Sequence, residues 1–482
     1  MKFLIRTYLL PVNMIKSILF GFLFIIIYCP LSANQQNHSR IFGNAPEYAN
    51  NQIIFYKYAD RITFLPDSLF ILEINENGDF DLTVAVDDIT YVFAEYEIYH
   101  AYFFLEPNAE YELILPPLEF KTEEHIFNPF FTPEDIHIGI KNMKKTDLNY
   151  LINEFDYFYD RYFYLNFLDI IAEGIESSVD TFIYNIKKHF DYADNEYFSA
   201  YTKYRYATLK NLATRKEYQH VVVYANYTND AVRYDNPAYM DLFNTIYDRY
   251  FDKYLTTIGG RYLFNFIHFG HSISNIRHLF SRHLELDNLQ FKELVILKGI
   301  NDAFMDNNFA WLPLLLTLDS LHISTDYDIH RDIAQNIADN TLSMKAGTIA
   351  PPFELENTSG VFTRLESFRG YYVYLNFANT TSYTSQMEFD FLKRIHEKYK
   401  NICKVVTVLT DDNKEQAKEF IRKNNYEWEF LFTEINSPTV STYTIRAYPT
   451  YFLIDPNGTL LLSPAPSPAE NFERYLFSIM RR

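Results

Sequence analysis

Residues 445–458 read Ile-Arg-Ala-Tyr-Pro-Thr-Tyr-Phe-Leu-Ile-Asp-Pro-Asn-Gly, and this stretch decides the fold of the last third of the chain. Its apolar residues lead into the Asn457-Gly458 pair, which predicts a tight turn between the last two strands. Further upstream, the apolar-rich run Cys403–Leu409 predicts a buried strand. The C-terminal region is therefore expected to be built around a sheet.

The segments before this stretch carry a family pattern. Residues 350–355 read Ala-Pro-Pro-Phe-Glu-Leu and residues 368–370 read Phe-Arg-Gly. In order and spacing, residues 347–482 resemble the TlpA/ResA-type thioredoxins, which are extracytoplasmic. That resemblance implies an α/β fold with a mixed sheet. It assigns strands to Tyr372–Phe377 and Cys403–Leu409 and helices to Asn413–Lys423 and Glu470–Met480, and it implies that Pro449 is a cis-proline facing the active-site loop.

The residues in the position of the redox motif depart from the family. Residues 381–388 read Thr-Ser-Tyr-Thr-Ser-Gln-Met-Glu where relatives write Trp-Cys-x-x-Cys, so Ser382 and Ser385 replace both cysteines. Glu388 matches an acidic residue of the family, whereas Asp390 replaces its helix-kinking proline. A serine hydroxyl hardly ionises near neutral pH and forms no stable bond to a substrate sulfur. We therefore expect no catalytic residue in this degenerate motif, and no cofactor.

Cysteine usage leads to the same expectation. The chain has two cysteines, Cys29 and Cys403, and the first lies in a predicted signal segment. The mature protein would then carry one thiol and could form no internal disulfide. We expect Cys403 to be a core residue of its strand.

The serines keep the geometry of the motif. Ser382 is suited to cap the helix that follows, and the cleft between this loop and Pro449 is a candidate groove for an extended peptide. The alternative is a loop with a structural role alone. The predicted partner-binding residues are Ser382, Tyr383, Thr384, Ser385, Tyr448, Pro449 and Thr450.

The N-terminus predicts export. Lys2, Arg6 and Lys16 precede or flank an apolar run, Ile18–Tyr28, which is followed by the small pair Ser32-Ala33. This order predicts a signal peptide over residues 1–33 and a periplasmic or secreted protein. An uncleaved membrane anchor is the alternative. The net charge of −19 opposes binding to nucleic acid, because phosphate contacts are built from Lys and Arg.

The rest of the chain divides by periodicity. From about Gln52 to Pro117 the residues alternate as strands do, with Asn77-Gly78 predicting a hairpin, and we expect a small antiparallel β-sandwich domain over residues 34–118. From about Lys144 to Ala346 apolar residues lie three and four apart, which predicts an irregular helical domain over residues 119–346. Residues 347–482 form the thioredoxin-like domain. The order of sandwich and helices also resembles the N-terminal extension of TlpA-like proteins from Bacteroidetes.

Histidines cluster at His268, His271, His278 and His283, but Gly270 interrupts them and no zinc-binding spacing occurs, so we place no metal there.

The expected function is an exported, redox-inactive protein that binds an envelope protein or peptide as a scaffold or holdase. One alternative is a thiol-disulfide oxidoreductase of the TlpA family. Another is glycan or peptide binding through the aromatic helical domain.

Overall fold

A computed structural model describes residues 37–480 except 123, 126, 127, 129, 174, 175, 215–218, 229, 307, 343 and 471. The predicted signal segment, residues 1–33, lies outside the described residues, as does Cys29. The described chain forms β-sheets, then a helical region, then a second sheet with helices on it. None of its helices is both long enough and apolar enough to cross a membrane.

Two sheets form the N-terminal unit. In chain order the strands are β1 His38–Asn44, β2 Gln52–Tyr58, β3 Pro66–Glu73, β4 Asp79–Ala85, β5 Thr90–Tyr96, β6 Tyr99–Leu105, β7 Glu110–Ile114, β8 Glu134–His137 and β9 Gly139–Ile140. One sheet has the order β4-β1-β7-β9 and the other β3-β2-β5-β6-β8. Alternating apolar residues such as Ile41, Phe55 and Phe103 are buried in one core.

The expectation of an antiparallel sandwich is corrected, because both sheets are mixed. The first strand, β1, was not predicted, and it runs parallel to β7, while β8 runs parallel to β6. Parallel neighbours need a long connection, and the chain between the paired strands supplies one in both cases. Strands β8 and β9 also lie beyond residue 118, so the sheets extend past the predicted boundary of the β unit.

The predicted hairpin at Asn77-Gly78 is also corrected. The tight turn itself forms, with Gly78 at a φ of 84° and its N–H donating to the carbonyl of Asn75. The strands on either side of it do not pair with each other, because β3 pairs with β2 and β4 pairs with β1. The turn therefore carries the chain from one sheet to the other.

Helices fill the middle of the chain. They are α1 Leu148–Glu173, α2 Glu176–His189, α3 Glu196–Ala213, α4 Gln219–Tyr227, α5 Pro237–Ile246, α6 Tyr250–Leu255, α7 Gly260–Asn265, α8 Ile273–Phe280, α9 Leu289–Ala303, α10 Trp311–Ser324 and α11 Asp328–Leu342. Their core includes Ile62 and Phe104 of the β unit. Asn149 of α1 also exchanges hydrogen bonds with the backbone of Phe104, which ties the helical region to the sheet.

The C-terminal elements are β10 Glu354–Asn357, β11 Phe362–Arg364, β12 Tyr372–Ala378, α12 Tyr383–Tyr399, β13 Cys403–Leu409, α13 Lys414–Lys423, β14 Glu429–Phe432, α14 Pro438–Thr442, β15 Thr450–Ile454, β16 Leu460–Leu462 and α15 Phe472–Met480. The sheet order is β11-β10-β14-β13-β12-β15-β16. The strands β12, β13 and β14 are parallel and β15 is antiparallel to β12, so the predicted mixed sheet is confirmed.

Candidate functional site

The serine motif lies where β12 ends and α12 begins. Ser382 caps α12, and its hydroxyl accepts a hydrogen bond from the backbone N–H of Ser385 at 3.4 Å. Ser385 is only 1% exposed, and its hydroxyl accepts from the N–H of Asn379 at 3.5 Å. Both hydroxyls therefore hold the loop and the first turn of the helix together. The helix continues unbroken through Asp390, as expected where the proline is missing.

Pro449 lies beside this loop. Strand β15 pairs with β12 so that Thr450 is opposite Phe377, which brings the residue before it level with the end of β12. The peptide bond between Tyr448 and Pro449 is cis. The predicted residues Ser382–Ser385 and Tyr448–Thr450 therefore lie at the same end of the sheet.

The backbone in front of Pro449 has unused donors. Residues 445–449 belong to no strand or helix, and within the described structure the N–H groups of Arg446, Ala447 and Tyr448 donate no hydrogen bond. These three residues are partly or fully exposed. A row of unpaired N–H groups at the edge of a fold can pair with an extended chain.

Apolar surface accompanies these donors. Tyr383 is 74% exposed in the first turn of α12, and Met387 and Phe391 follow it four and eight residues later, also exposed. This spacing puts the three side chains in one row along the helix. On the other side of the loop, Arg446 and Tyr448 line a cleft of about 970 Å³ that also includes Phe120 of the β unit.

A buried polar network under the loop was not predicted. The carboxylate of Asp411, which follows β13, accepts from the backbone N–H of Thr380 at 3.0 Å and also from the Thr380 hydroxyl. Burial raises the pKa of Asp411, and the two bonds from Thr380 oppose that shift. Sequence reasoning could have found this pair, because residues that follow neighbouring parallel strands meet at one edge of the sheet.

None of the described groups next to Ser382 can serve as its base. Its hydroxyl has one hydrogen bond, with a backbone N–H. Glu388 accepts from the hydroxyl of Tyr451 on β15, and burial raises the pKa of that tyrosine well above its ordinary value. His396 lies fourteen residues further along α12, about 21 Å at the helical rise. An activated serine nucleophile is therefore not supported.

The thiol of Cys403 is at the other end of the strands. Cys403 pairs with Tyr372, the first residue of β12, whereas the serine motif follows the last one, Ala378. Six residues of strand separate the two ends, which is about 20 Å. The Cys403 side chain is fully buried, and burial raises its pKa to about 12. A sulfur in this position can neither reach the serine loop nor ionise near neutral pH.

The described residues contain no group of three or more His, Cys, Asp or Glu side chains arranged to hold a metal ion. In the helical region, His271 has a φ of 45° and its ring bonds to the carbonyl of Ile267. It ends a one-turn π-helix that begins at Phe266.

Comparison with known proteins finds similarity to the C-terminal part of the chain. Residues 346–462 match the model of the AhpC/TSA family. The thiol-disulfide oxidoreductase ResA of Bacillus thuringiensis subsp. konkukian is 27% identical over 139 residues, which cover 28% of this chain and 79% of that protein. ResA of Geobacillus kaustophilus is 26% identical over 149 residues, covering 30% and 85%. A solved thiol-disulfide oxidoreductase from Bacteroides fragilis is 26% identical, covers 27% of this chain and 99% of its own, and superposes with a TM-score of 0.25.

Proposed function

We propose that this protein is an exported, thioredoxin-like binding protein that holds an extended segment of an envelope protein without exchanging disulfides. The observation that carries the proposal is the row of unpaired N–H groups at Arg446, Ala447 and Tyr448 beside a helix start capped by Ser382. Such a protein would act as a scaffold or as a holdase for unfolded clients.

The binding mode follows from the loop. A carbonyl group of an extended client would accept a hydrogen bond from the N–H of Arg446, Ala447 or Tyr448, much as a peptide pairs with a sheet edge. Alternate side chains of that client would then face Tyr383 and Met387 on one side of the loop. Main-chain bonds are independent of sequence, so this mode suits clients that share extended backbone rather than a motif.

Thiol–disulfide exchange requires an attacking thiolate and a leaving thiol. At this site both positions are serine, and the one described thiol, that of Cys403, is buried at the opposite end of β13. The relatives named as oxidoreductases favour a common fold for residues 346–462. We infer that the present chain keeps the groove and has lost the chemistry.

The experiment is a binding measurement on the chain that begins after Ala33, with fluorescent unstructured peptides that contain no cysteine. We expect binding, and a loss of about tenfold in affinity in Tyr383→Asp, because a charge would be placed in the apolar row. Tyr475→Asp is the matched control, since Tyr475 is an exposed tyrosine on α15, another helix of the same C-terminal region. Equal affinities for both variants, or no binding of cysteine-free peptides, would contradict the proposal.

A second candidate function rests on the helical region. Tyr157, Tyr164 and Leu168 of α1 are exposed and lie seven and four residues apart, which places them in one row. Tyr164 is 83% exposed. Exposed aromatic rows bind glycans or peptides through their ring faces. Binding of soluble oligosaccharides that is lost in Tyr164→Ala but not in Tyr383→Asp would favour this function.

A further inference from the structure

A second cleft lies between the β unit and the helical region. It has a volume of about 480 Å³, and strand ends of the five-stranded sheet face α5 and α11 across it. Two side-chain hydrogen bonds fix its walls: Asn336 of α11 donates to the carboxylate of Asp60 at 2.9 Å, and Asn244 of α5 donates to the carbonyl of Arg61 at 2.8 Å. These hydrogen bonds hold the two units together around the cleft, and the size of the cleft suits a small ligand.

The floor of this cleft holds an arginine side chain that has no anionic partner among the described residues. Arg61 is 8% exposed, and its guanidinium lies over the rings of Tyr91 and Tyr58, at 4.7 and 5.4 Å from their centres. Within the described residues the guanidinium forms no salt bridge, and the hydrogen bond recorded for Arg61 is made by its backbone carbonyl. A buried charge is costly unless it is paired and hydrogen-bonded. The five donors of this arginine are thus available to an anionic group in the cleft.

The neighbouring carboxylate of Asp60 does not neutralise Arg61. Its two oxygens accept from the backbone N–H groups of Ile62 and Thr63, from the Thr63 hydroxyl and from Asn336. This carboxylate therefore closes the turn that presents Arg61. Two further carboxylates, Asp235 and Asp241, lie near Arg61, but within the described residues neither forms an ion pair with it.

The rim of the cleft has the opposite charge. Asp87, Asp88, Asp235 and Asp332 line it and are exposed, and in the described structure none of them pairs with a cation. The one lysine on the lining, Lys57, already pairs with Asp67 at 3.8 Å. A simple anion would meet this acidic rim, and a simple cation would meet Arg61. The two charges are complementary to a ligand that carries both signs.

We propose that this cleft binds a zwitterion of the amino-acid class, either a free α-amino acid or a short peptide with both termini free. The ligand carboxylate lies on Arg61, whose planar fork suits bidentate bonds to a carboxylate. The ligand ammonium group lies toward the carboxylates of Asp235 and Asp332. The site goes beyond the proposed peptide groove and does not depend on it, because it uses different elements and a different ligand chemistry.

The test is isothermal titration calorimetry on the chain that begins after Ala33, with the twenty free amino acids and the dipeptide Ala-Ala as probes. We expect at least one of these zwitterions to bind. Amidation of its carboxyl group or acetylation of its amino group should each weaken binding at least tenfold. Arg61→Lys keeps the charge but removes the fork, and should weaken binding at least tenfold. Arg40→Lys is the control, since Arg40 is an exposed arginine of the same unit that pairs with Asp81.

Two further arms keep the test decisive. The double variant Asp235→Asn/Asp332→Asn changes only exposed rim residues, so it should fold; it should bind the zwitterion more weakly and the N-acetylated probe more tightly. Sulfate is the anion probe. The proposal is overturned if no zwitterion binds, if sulfate binds as tightly, or if the rim variant leaves the preference for a free amino group unchanged.

Discussion

The two ends of the strands β12 and β13 differ in every property that thiol chemistry needs. At the carboxyl ends, Ser382 begins α12 at the same end of the sheet as the unpaired backbone donors, and it has oxygen where exchange needs sulfur. At the amino ends, Cys403 has the sulfur, but it is fully buried and its pKa is about 12. The difference teaches that fold and chemistry can be separated: the mixed sheet is present, whereas its one described thiol belongs to the core.

The largest expected effect concerns the cysteine end. In the chain that begins after Ala33, Cys403 should react with a thiol-specific reagent about 1,000-fold more slowly in the native protein than in urea. The reason is that a pKa near 12 instead of the ordinary 8.5 lowers the thiolate fraction by about three powers of ten. Stopped-flow labelling measures both rates. Comparable rates in the two states would show that the thiol is accessible.

The next effect concerns the serine end. Ser382→Cys/Ser385→Cys should form an internal disulfide under mild oxidation and reduce insulin disulfides roughly 100-fold faster than the parent chain, because a thiolate at a helix N-terminus is stabilised. Alkylation followed by mass spectrometry counts the free thiols. Ser382→Cys alone is the control, since it has no resolving partner. A double variant without a disulfide would mean that the loop has lost the geometry of its relatives.

A smaller effect tests the capping role of Ser382. Ser382→Ala should lower the free energy of unfolding by about 1 kcal/mol, and Ser382→Gly by less, because an N-cap hydroxyl satisfies a free helix N–H. Ser437→Ala is the matched variant, since Ser437 caps the short helix α14 with a bond to Val440. Urea unfolding measures both. A neutral Ser382→Ala would remove the structural reason for a serine at this position.

The smallest effect is a pH dependence at Asp411. Burial raises the folded-state pKa of Asp411 above its unfolded value near 3.9, so the folded protein binds this proton more tightly. That contribution to stability is present below about pH 4 and is lost as the pH rises through the folded pKa. Asp411→Asn should lack this loss. Between pH 4 and pH 7 the urea midpoint of the parent chain should therefore fall relative to the midpoint of Asp411→Asn. If the two midpoints changed in parallel with pH, the raised pKa of Asp411 would be contradicted.

The C-terminal sheet was predicted well, with the strand Cys403–Leu409 predicted from its apolar run and the strand Tyr372–Phe377 from the family resemblance. The strand Cys403–Leu409 was predicted with its observed bounds. The predicted central strand ended at Phe377, one residue before the observed end at Ala378. The N-terminal sheets were predicted less well. The strand β9 has two residues, and one of the two partners of β1 is β7, about 70 residues away, so neither leaves a local pattern. The Asn77-Gly78 pair predicted a tight turn, which forms, but it did not predict which strands would pair.

The same limit applies to the sites. The serine loop could be found because its residues are contiguous and because Pro449 follows in a known order. The bond between Thr380 and Asp411 joins residues 31 apart, and the hydrogen bond from Asn336 to Asp60 joins residues 276 apart. Among the described residues Arg61 has no anionic partner, and this is a property of three-dimensional packing of which a sequence carries no local sign.

The central claim is that the serine end binds without exchanging disulfides, and the insulin reduction assay on the parent chain tests it most directly. With dithiothreitol as the electron donor, the chain that begins after Ala33 should reduce insulin no faster than dithiothreitol alone, because neither Ser382 nor Ser385 can carry a mixed disulfide. Turnover above that background would contradict the claim. If the turnover also disappeared in Cys403→Ala, the buried thiol at the other end of β13 would be its source.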